Sequence, residues 1–279
     1  MEKFSPDEVK TIYKPPNGSS GEDNGQVTII GGSSLFQGAP LLALTAASRI
    51  VDMVFFASPF EPMREITAYL KANLHSFIWV PWGEVEKYVE KSDAVLIGPG
   101  MMRYSGEGDR PENLENCDEA CLLTRSTTEH LLKKFPQKKW VIDAGSLQTM
   151  EASWIPPQAI LTPNKKEYSM LFGEKDIANA AAEYHCILVK KGPVTLVCSP
   201  EKCVEVHGGN PGLTKGGSGD VMAGLTVALL AKNDPFLAAK VAAHVVKAAG
   251  DRLSIDVGNY YNADDVADQV SRTLATLDK

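Results

Sequence analysis

Asp220 closes the run Gly216-Gly217-Ser218-Gly219, just ahead of an apolar stretch over 221–232 that reads as a helix. Backbone N–H groups at a helix start lack intrahelical partners and carry partial positive charge, so a glycine loop there admits phosphate closely. Gly217, Ser218 and Gly219 are the expected anion hole. A carboxylate beside bound phosphate weakens its binding, so the gain expected of Asp220 is chemical: it takes the proton of a hydroxyl about to attack. The competing reading is a glycine-rich turn in which Ser218 or Asp220 caps the helix.

Other segments carry compatible chemistry. Asn164 and Glu167, three apart behind Pro163, share one face of a helical turn, so amide and carboxylate can organise hydrated Mg²⁺ at phosphates. Thr162 and Asn164 also suit plain helix capping. Lys191 offers a point charge to phosphate and Gly192 a backbone turn beside it; a hairpin entrance with solvated lysines is the alternative. Gly31–Pro40 and Gly98-Pro99-Gly100 each follow an apolar run, as glycine loops or as simple strand exits.

The elements that hold these residues alternate regularly. Val27–Ile30, Asp52–Ala57, Phe77–Val80, Ala94–Ile97, Trp140–Ile142, Ala159–Leu161 and Ile187–Val189 are short and mostly apolar, as strands covered on both faces are. Helical patterns over Pro40–Ile50, Val85–Lys91, Asp118–Lys134 and Ile177–Tyr184 separate them. This rhythm predicts an α/β three-layer sandwich, a mostly parallel central sheet flanked by helices. Thr195–Cys198 and Cys203–Val206 read as an edge hairpin, and Pro235–Leu253 and Asn262–Leu274 as closing helices. Ligands of such sheets bind beyond the carboxyl ends of the strands, where the glycine loops fall. One domain is expected over 25–279, with residues 1–24 an extension that docks on a neighbouring subunit or stays mobile.

Composition narrows the function. The 279 residues are 44% hydrophobic and 23% charged, ordinary for a globular enzyme. A net charge of −7 argues against nucleic acid or an anionic membrane as partner. No apolar run approaches the roughly 18 residues that span a bilayer, and the polar start has no signal-peptide core. Five cysteines, an odd count without a tight pattern, read as buried or idle thiols in a reducing cytoplasm.

The run Asn210-Pro211-Gly212-Leu213-Thr214-Lys215-Gly216-Gly217-Ser218-Gly219-Asp220-Val221-Met222-Ala223-Gly224 resembles the signature of the ADP/ATP-dependent NAD(P)H-hydrate dehydratases, members of the ribokinase-like superfamily. The resemblance implies dehydration of hydrated NADH or NADPH (NADHX, NADPHX), driven by ADP or ATP with Mg²⁺. The C6 hydroxyl is phosphorylated by way of Asp220, and phosphate then leaves. It further implies nucleotide contacts at Lys191, Gly192, Pro193, Val194, Thr195 and Gly219. Substrate contacts fall at Ala39, Gly100, Asn164 and Asp220, water-mediated metal contacts at Asn164 and Glu167, and the assembly is a homotetramer. The chain is too short for the epimerase domain that some relatives fuse at their N-terminus. Rival readings are a kinase for a vitamin-precursor alcohol, which keeps its phosphorylated product, and a catalytically weak dinucleotide-binding regulator. Three stretches depart from the family pattern: Met101-Met102 replaces Leu-Gly, Gly145 replaces an aspartate, and Arg49–Met53 shortens a glycine-rich stretch, a departure that bears on the substrate-side contacts more than on the phosphate-side chemistry.

Overall fold

The structure, a computed structural model, describes residues 1–104 and 117–279. Ten strands among them form one sheet: β1 (Glu2–Lys3), β2 (Gln26–Ile30), β3 (Met53–Ala57), β4 (Ile78–Trp79), β5 (Ala94–Ile97), β6 (Lys139–Ile142), β7 (Ile160–Leu161), β8 (Ile187–Lys190), β9 (Thr195–Cys198) and β10 (Cys203–Val206). Their order is β1-β10-β9-β8-β7-β6-β5-β2-β3-β4, and only β9 runs against its neighbours. The helices are α1 (Gly38–Ala47), α2 (Met63–Leu70), α3 (Val85–Lys91), α4 (Glu119–Lys134), α5 (Ala144–Thr149), α6 (Lys165–Phe172), α7 (Ile177–Glu183), α8 (Ser218–Lys232), α9 (Pro235–Val257) and α10 (Ala263–Leu277).

Continuous hydrophobicity along the strands has a simple cause: successive side chains enter different cores. Val27, Ile29, Leu96, Val141 and Val189 pack with α1, α8, α9 and α10, whereas Ile30, Val95, Ile97, Ile142 and Leu188 pack with α3 to α7. On the first face α8 lies tight against α1, since a Cβ at Gly224 would sit 2.1 Å from the Ala43 carbonyl oxygen. That crossing helps aim the α8 N-terminus at the carboxyl ends of the strands.

The first residues are not loose. β1 pairs with the edge strand β10, Phe4, Val9 and Ile12 join the first core, and Glu8 pairs with the buried Lys240. The cysteines also depart from expectation. Cys198 and Cys203 face each other across the β9–β10 register and form a disulfide, Cys117 bonds Cys121 across the start of α4, and Cys186 remains a buried thiol. An odd count conceals pairs that lie four and five residues apart, because hairpin register and the first helical turn bring them together.

Candidate active site

Sheet bonding continues one residue past the strand ends and sets the site. The Asp143 N–H donates to the Ile97 carbonyl (3.1 Å), the Thr162 N–H to that of Ile142 (3.1 Å) and the Lys191 N–H to that of Pro163 (2.9 Å). Side chains from three adjacent strand ends therefore converge. Lys191 Nζ donates to Asp143 Oδ1 at 2.9 Å, and Thr162 Oγ1 donates to the same oxygen at 2.8 Å. Asp143 is buried, and Ala144 beyond it holds φ 46°, a left-handed conformation uncommon for a residue with a side chain.

Asp220 enters from the opposite side, in the first turn of α8. Gly217 precedes that helix at φ 98°, and a Cβ there would lie 2.5 Å from Leu42 Cδ1 and 2.7 Å from Ala263 Cβ. Only glycine fits. No side chain caps α8, and the Ser218 hydroxyl donates backward to the Lys215 carbonyl (3.2 Å). By contrast α4, α6, α7, α9 and α10 are capped by Asp118, Asn164, Asp176, Asp234 and Asn262. The capping alternative for Ser218 and Asp220 thus fails, and no side chain of the cap blocks an anion's approach to the first-turn N–H groups.

Charge crowding tunes this cluster. Burial, then the Asp143 and Glu167 charges, push the Asp220 carboxyl up to about 7 against the pull of Lys191. Burial opposes the charge on Lys191, but Asp143, Glu167 and Asp220 outweigh it and hold the ammonium above its ordinary range. Glu167 is raised chiefly by burial, with Asp143 adding to it and Lys191 opposing.

Asn164 and Glu167 form a capping box on α6. The Asn164 N–H donates to Glu167 Oε2 and the Glu167 N–H to Asn164 Oδ1, both at 2.9 Å, while Gln148 donates to Glu167 Oε1 at 3.1 Å. Both carboxylate oxygens are engaged, and no group of three or more His, Cys, Asp or Glu among the described residues could hold a metal ion. The donor set fits a hydrated ion carried on phosphate, not one bound directly.

A cavity of about 500 Å³ opens beside the helix start, bounded by Lys191, Gly192, Pro193 and Thr195 on one side and Gly208–Pro211 on the other, with Ser218, Gly219 and Met222 below. The atoms nearest to a Cβ at Gly219 would be those of the flexible Lys191 end, Nζ at 3.2 Å. Val194 is 39% exposed and does not line this cavity.

The two loops expected to contact substrate meet where the strand order reverses, between β2 and β5. The Gly32 N–H donates to the Pro99 carbonyl (2.9 Å), and a Cβ at Gly100 would lie 2.2 Å from the Phe36 carbonyl oxygen and 3.3 Å from Ala39 Cβ. Ala39 and Gly100 are thus together, whereas Asn164 is exposed on the α6 side.

Residues 27–272 match the family described as NAD(P)H-hydrate dehydratase. The chain belongs to this family. It is 31% identical to a bifunctional NAD(P)H-hydrate repair enzyme of Methanocaldococcus jannaschii, over 96% of this chain and 51% of that one. It is 25% identical to the ADP-dependent (S)-NAD(P)H-hydrate dehydratase of Cenarchaeum symbiosum, over 92% and 91%. The chain spans about half the length of the bifunctional relatives. The Bacillus subtilis ADP/ATP-dependent NAD(P)H-hydrate dehydratase, co-crystallised with ATP and Mg²⁺, superposes with a TM-score of 0.77 at 20% identity, covering 99% of this chain and 98% of that one. The fold is therefore the ribokinase-like three-layer α/β sandwich.

Two of this dehydratase-family chain's departures lie against each other. A Cβ at Gly145 would lie 2.3 Å from the Met101 carbonyl oxygen and 3.1 Å from Met101 Cβ, so the backbone here has no room for the missing aspartate. Arg49–Met53 leads into β3 and ends at its first residue, at the amino ends of the strands, where Arg49 pairs with Asp268 (2.5 Å) and Asp52 accepts from the Asn24 N–H (2.9 Å). The shortened stretch lies away from the carboxyl ends of the strands. Sequence reasoning did not weigh Asp143 as a site carboxylate, and it missed Lys247 altogether. The available signal for Lys247 was a lysine inside the alanine-rich run of α9.

Proposed function

We propose that this chain restores NADH or NADPH from its C6-hydrated form, using ADP or ATP as phosphoryl donor. Asp220 takes the C6 hydroxyl proton while that oxygen attacks the terminal phosphoryl group. The N–H groups around Gly217, Ser218 and Gly219 receive the charge that spreads over the transferred group, and Lys191 adds a fixed positive charge beside them. The C6–O bond then breaks with phosphate leaving, C5 loses a proton, and the ring double bond returns. Lys191, Gly192, Pro193, Thr195 and Gly219 hold the nucleotide, with Val194 in the same loop; Ala39 and Gly100 face the hydrated nicotinamide, and Asn164 borders it. Magnesium, held through its waters by Asn164 and Glu167, supplies charge neutralisation at the phosphates when bound. We place the reaction in the cytoplasm, in a homo-oligomer, a tetramer by family resemblance.

One observation carries this reading: Asp220 stands in the first turn of α8, whose glycine start no side chain caps, and burial raises its carboxyl above the ordinary carboxylate range. A base for a hydroxyl is best placed near the working pH. The test incubates the protein with ADP or ATP and either hydrated NADPH or a thiazole or pyrimidine alcohol. Restored NADPH with one inorganic phosphate per turnover is expected; a stable phosphorylated alcohol, with the hydrate untouched, would replace the reading with a kinase.

A further inference from the structure

Lys247 and Asp251 stand one helical turn apart on α9. The buried Lys247 Nζ donates to the carbonyl oxygens of Gly192 (3.1 Å), Pro193 (2.8 Å) and Gly208 (3.0 Å). An ammonium has three protons, and here each has an acceptor. Asp251 grips the same region, accepting the Gly209 N–H at 2.8 Å and Asn210 Nδ2 at 3.2 Å. The two gripped turns, 192–193 and 208–210, are walls of the 500 Å³ cavity, and Lys247 itself lines it. Gly208 and Gly209 hold φ 95° and 80°, so their turn has little conformational preference of its own.

We propose that Lys247, braced by Asp251, is a positioning residue that fixes the spacing of these turns and thereby nucleotide affinity, apart from the chemistry at Asp220. With its protons committed to carbonyls, Lys247 acts as a staple between walls rather than as a phosphate ligand. The inference rests on the assignment of this cavity to ADP or ATP. Replacing the staple by an apolar stem of similar length leaves three carbonyls to water and lets the walls separate.

Calorimetric titration of Lys247→Met with ADP and ATP tests it, together with steady-state kinetics. Nucleotide Kd and KM should rise about tenfold, while kcat at saturating nucleotide falls less than about threefold and KM for the hydrated dinucleotide stays unchanged. Should Lys247→Met fail to fold, Asp251→Asn carries the test with an expected loss of about threefold in nucleotide affinity. Nucleotide affinity equal to wild type in the folded variant, even with a lowered Tm, would overturn the proposal by making the staple purely structural. Wild type that binds neither ADP nor ATP would remove the nucleotide assignment first, and this inference with it.

Discussion

The phosphate side and the substrate side of the site are built in different ways. On the phosphate side, side chains from separate elements meet: Lys191 and Asp143 from strand ends and Asp220 from α8, with Lys247 of α9 tying the adjacent turns. On the substrate side, backbone packs on backbone, with Cβ positions of Gly98, Gly100 and Gly145 lying 1.9, 2.2 and 2.3 Å from the carbonyl oxygens of Asp143, Phe36 and Met101. Function on the first side thus depends on which side chains are present, whereas the glycines of the second side leave no room for any side chain. The departures from the family pattern at Met101 and Gly145 fall on the packed side, in contact with each other.

Asp220→Asn tests the phosphate side with the largest expected effect. Turnover should fall by about 10²–10⁴, with both ligands still bound, since asparagine keeps the shape but cannot take the proton. Stability should move the other way. A carboxyl raised from 3.8 to about 7 favours the folded state only while protonated, so wild type loses that contribution as pH climbs between these values. Without nucleotide, the variant should melt higher than wild type at pH 8 and equally below about pH 4. A variant that melts lower at pH 8 would contradict the burial argument.

Restoring the family's aspartate by Gly145→Asp probes the packed side. The collision with the Met101 carbonyl should cost about 1–3 kcal/mol of stability, read as a lowered denaturant midpoint. A fully stable variant would mean that the 98–104 loop yields readily. Gly219→Val should weaken nucleotide binding about tenfold in calorimetry through its β-branched side chain, with little change in ligand-free Tm, because only the flexible Lys191 end stands nearby. Unchanged affinity would take Gly219 out of the nucleotide site. Glu167→Gln is the mildest change. It keeps an acceptor for the Asn164 N–H, so the magnesium needed for half-maximal activity should rise only about two- to fivefold. Superimposable magnesium titrations would leave the residue as a cap alone.

Much of this was legible in the sequence, for stated reasons. Strands such as Ala94–Ile97 and the hairpin Thr195–Cys198/Cys203–Val206 were readable because both covered faces demand apolar residues and the intervening turn is polar. Asp220 was readable because its glycine loop is contiguous. Lys247 was not, since its partners lie 39 to 55 residues away and meet only in the tertiary fold. Helices α2 and α5 escaped notice too. α5 is six residues long and begins at Ala144 with positive φ, leaving too few positions to show a helical period. Gly145 was read as a lost carboxylate, because nothing in the sequence brings it against Met101.

The central claim, that Asp220 is a base poised by its buried, carboxylate-rich surroundings, is tested most directly by the pH dependence of kcat/KM for the hydrated dinucleotide at saturating nucleotide. The value should rise with pH as Asp220 ionises, on a limb lying above the ordinary carboxylate range, then level off, and the small residual rate of Asp220→Asn should lack that limb. A wild-type profile flat between about pH 5 and 9, or an identical limb in Asp220→Asn, would contradict the claim.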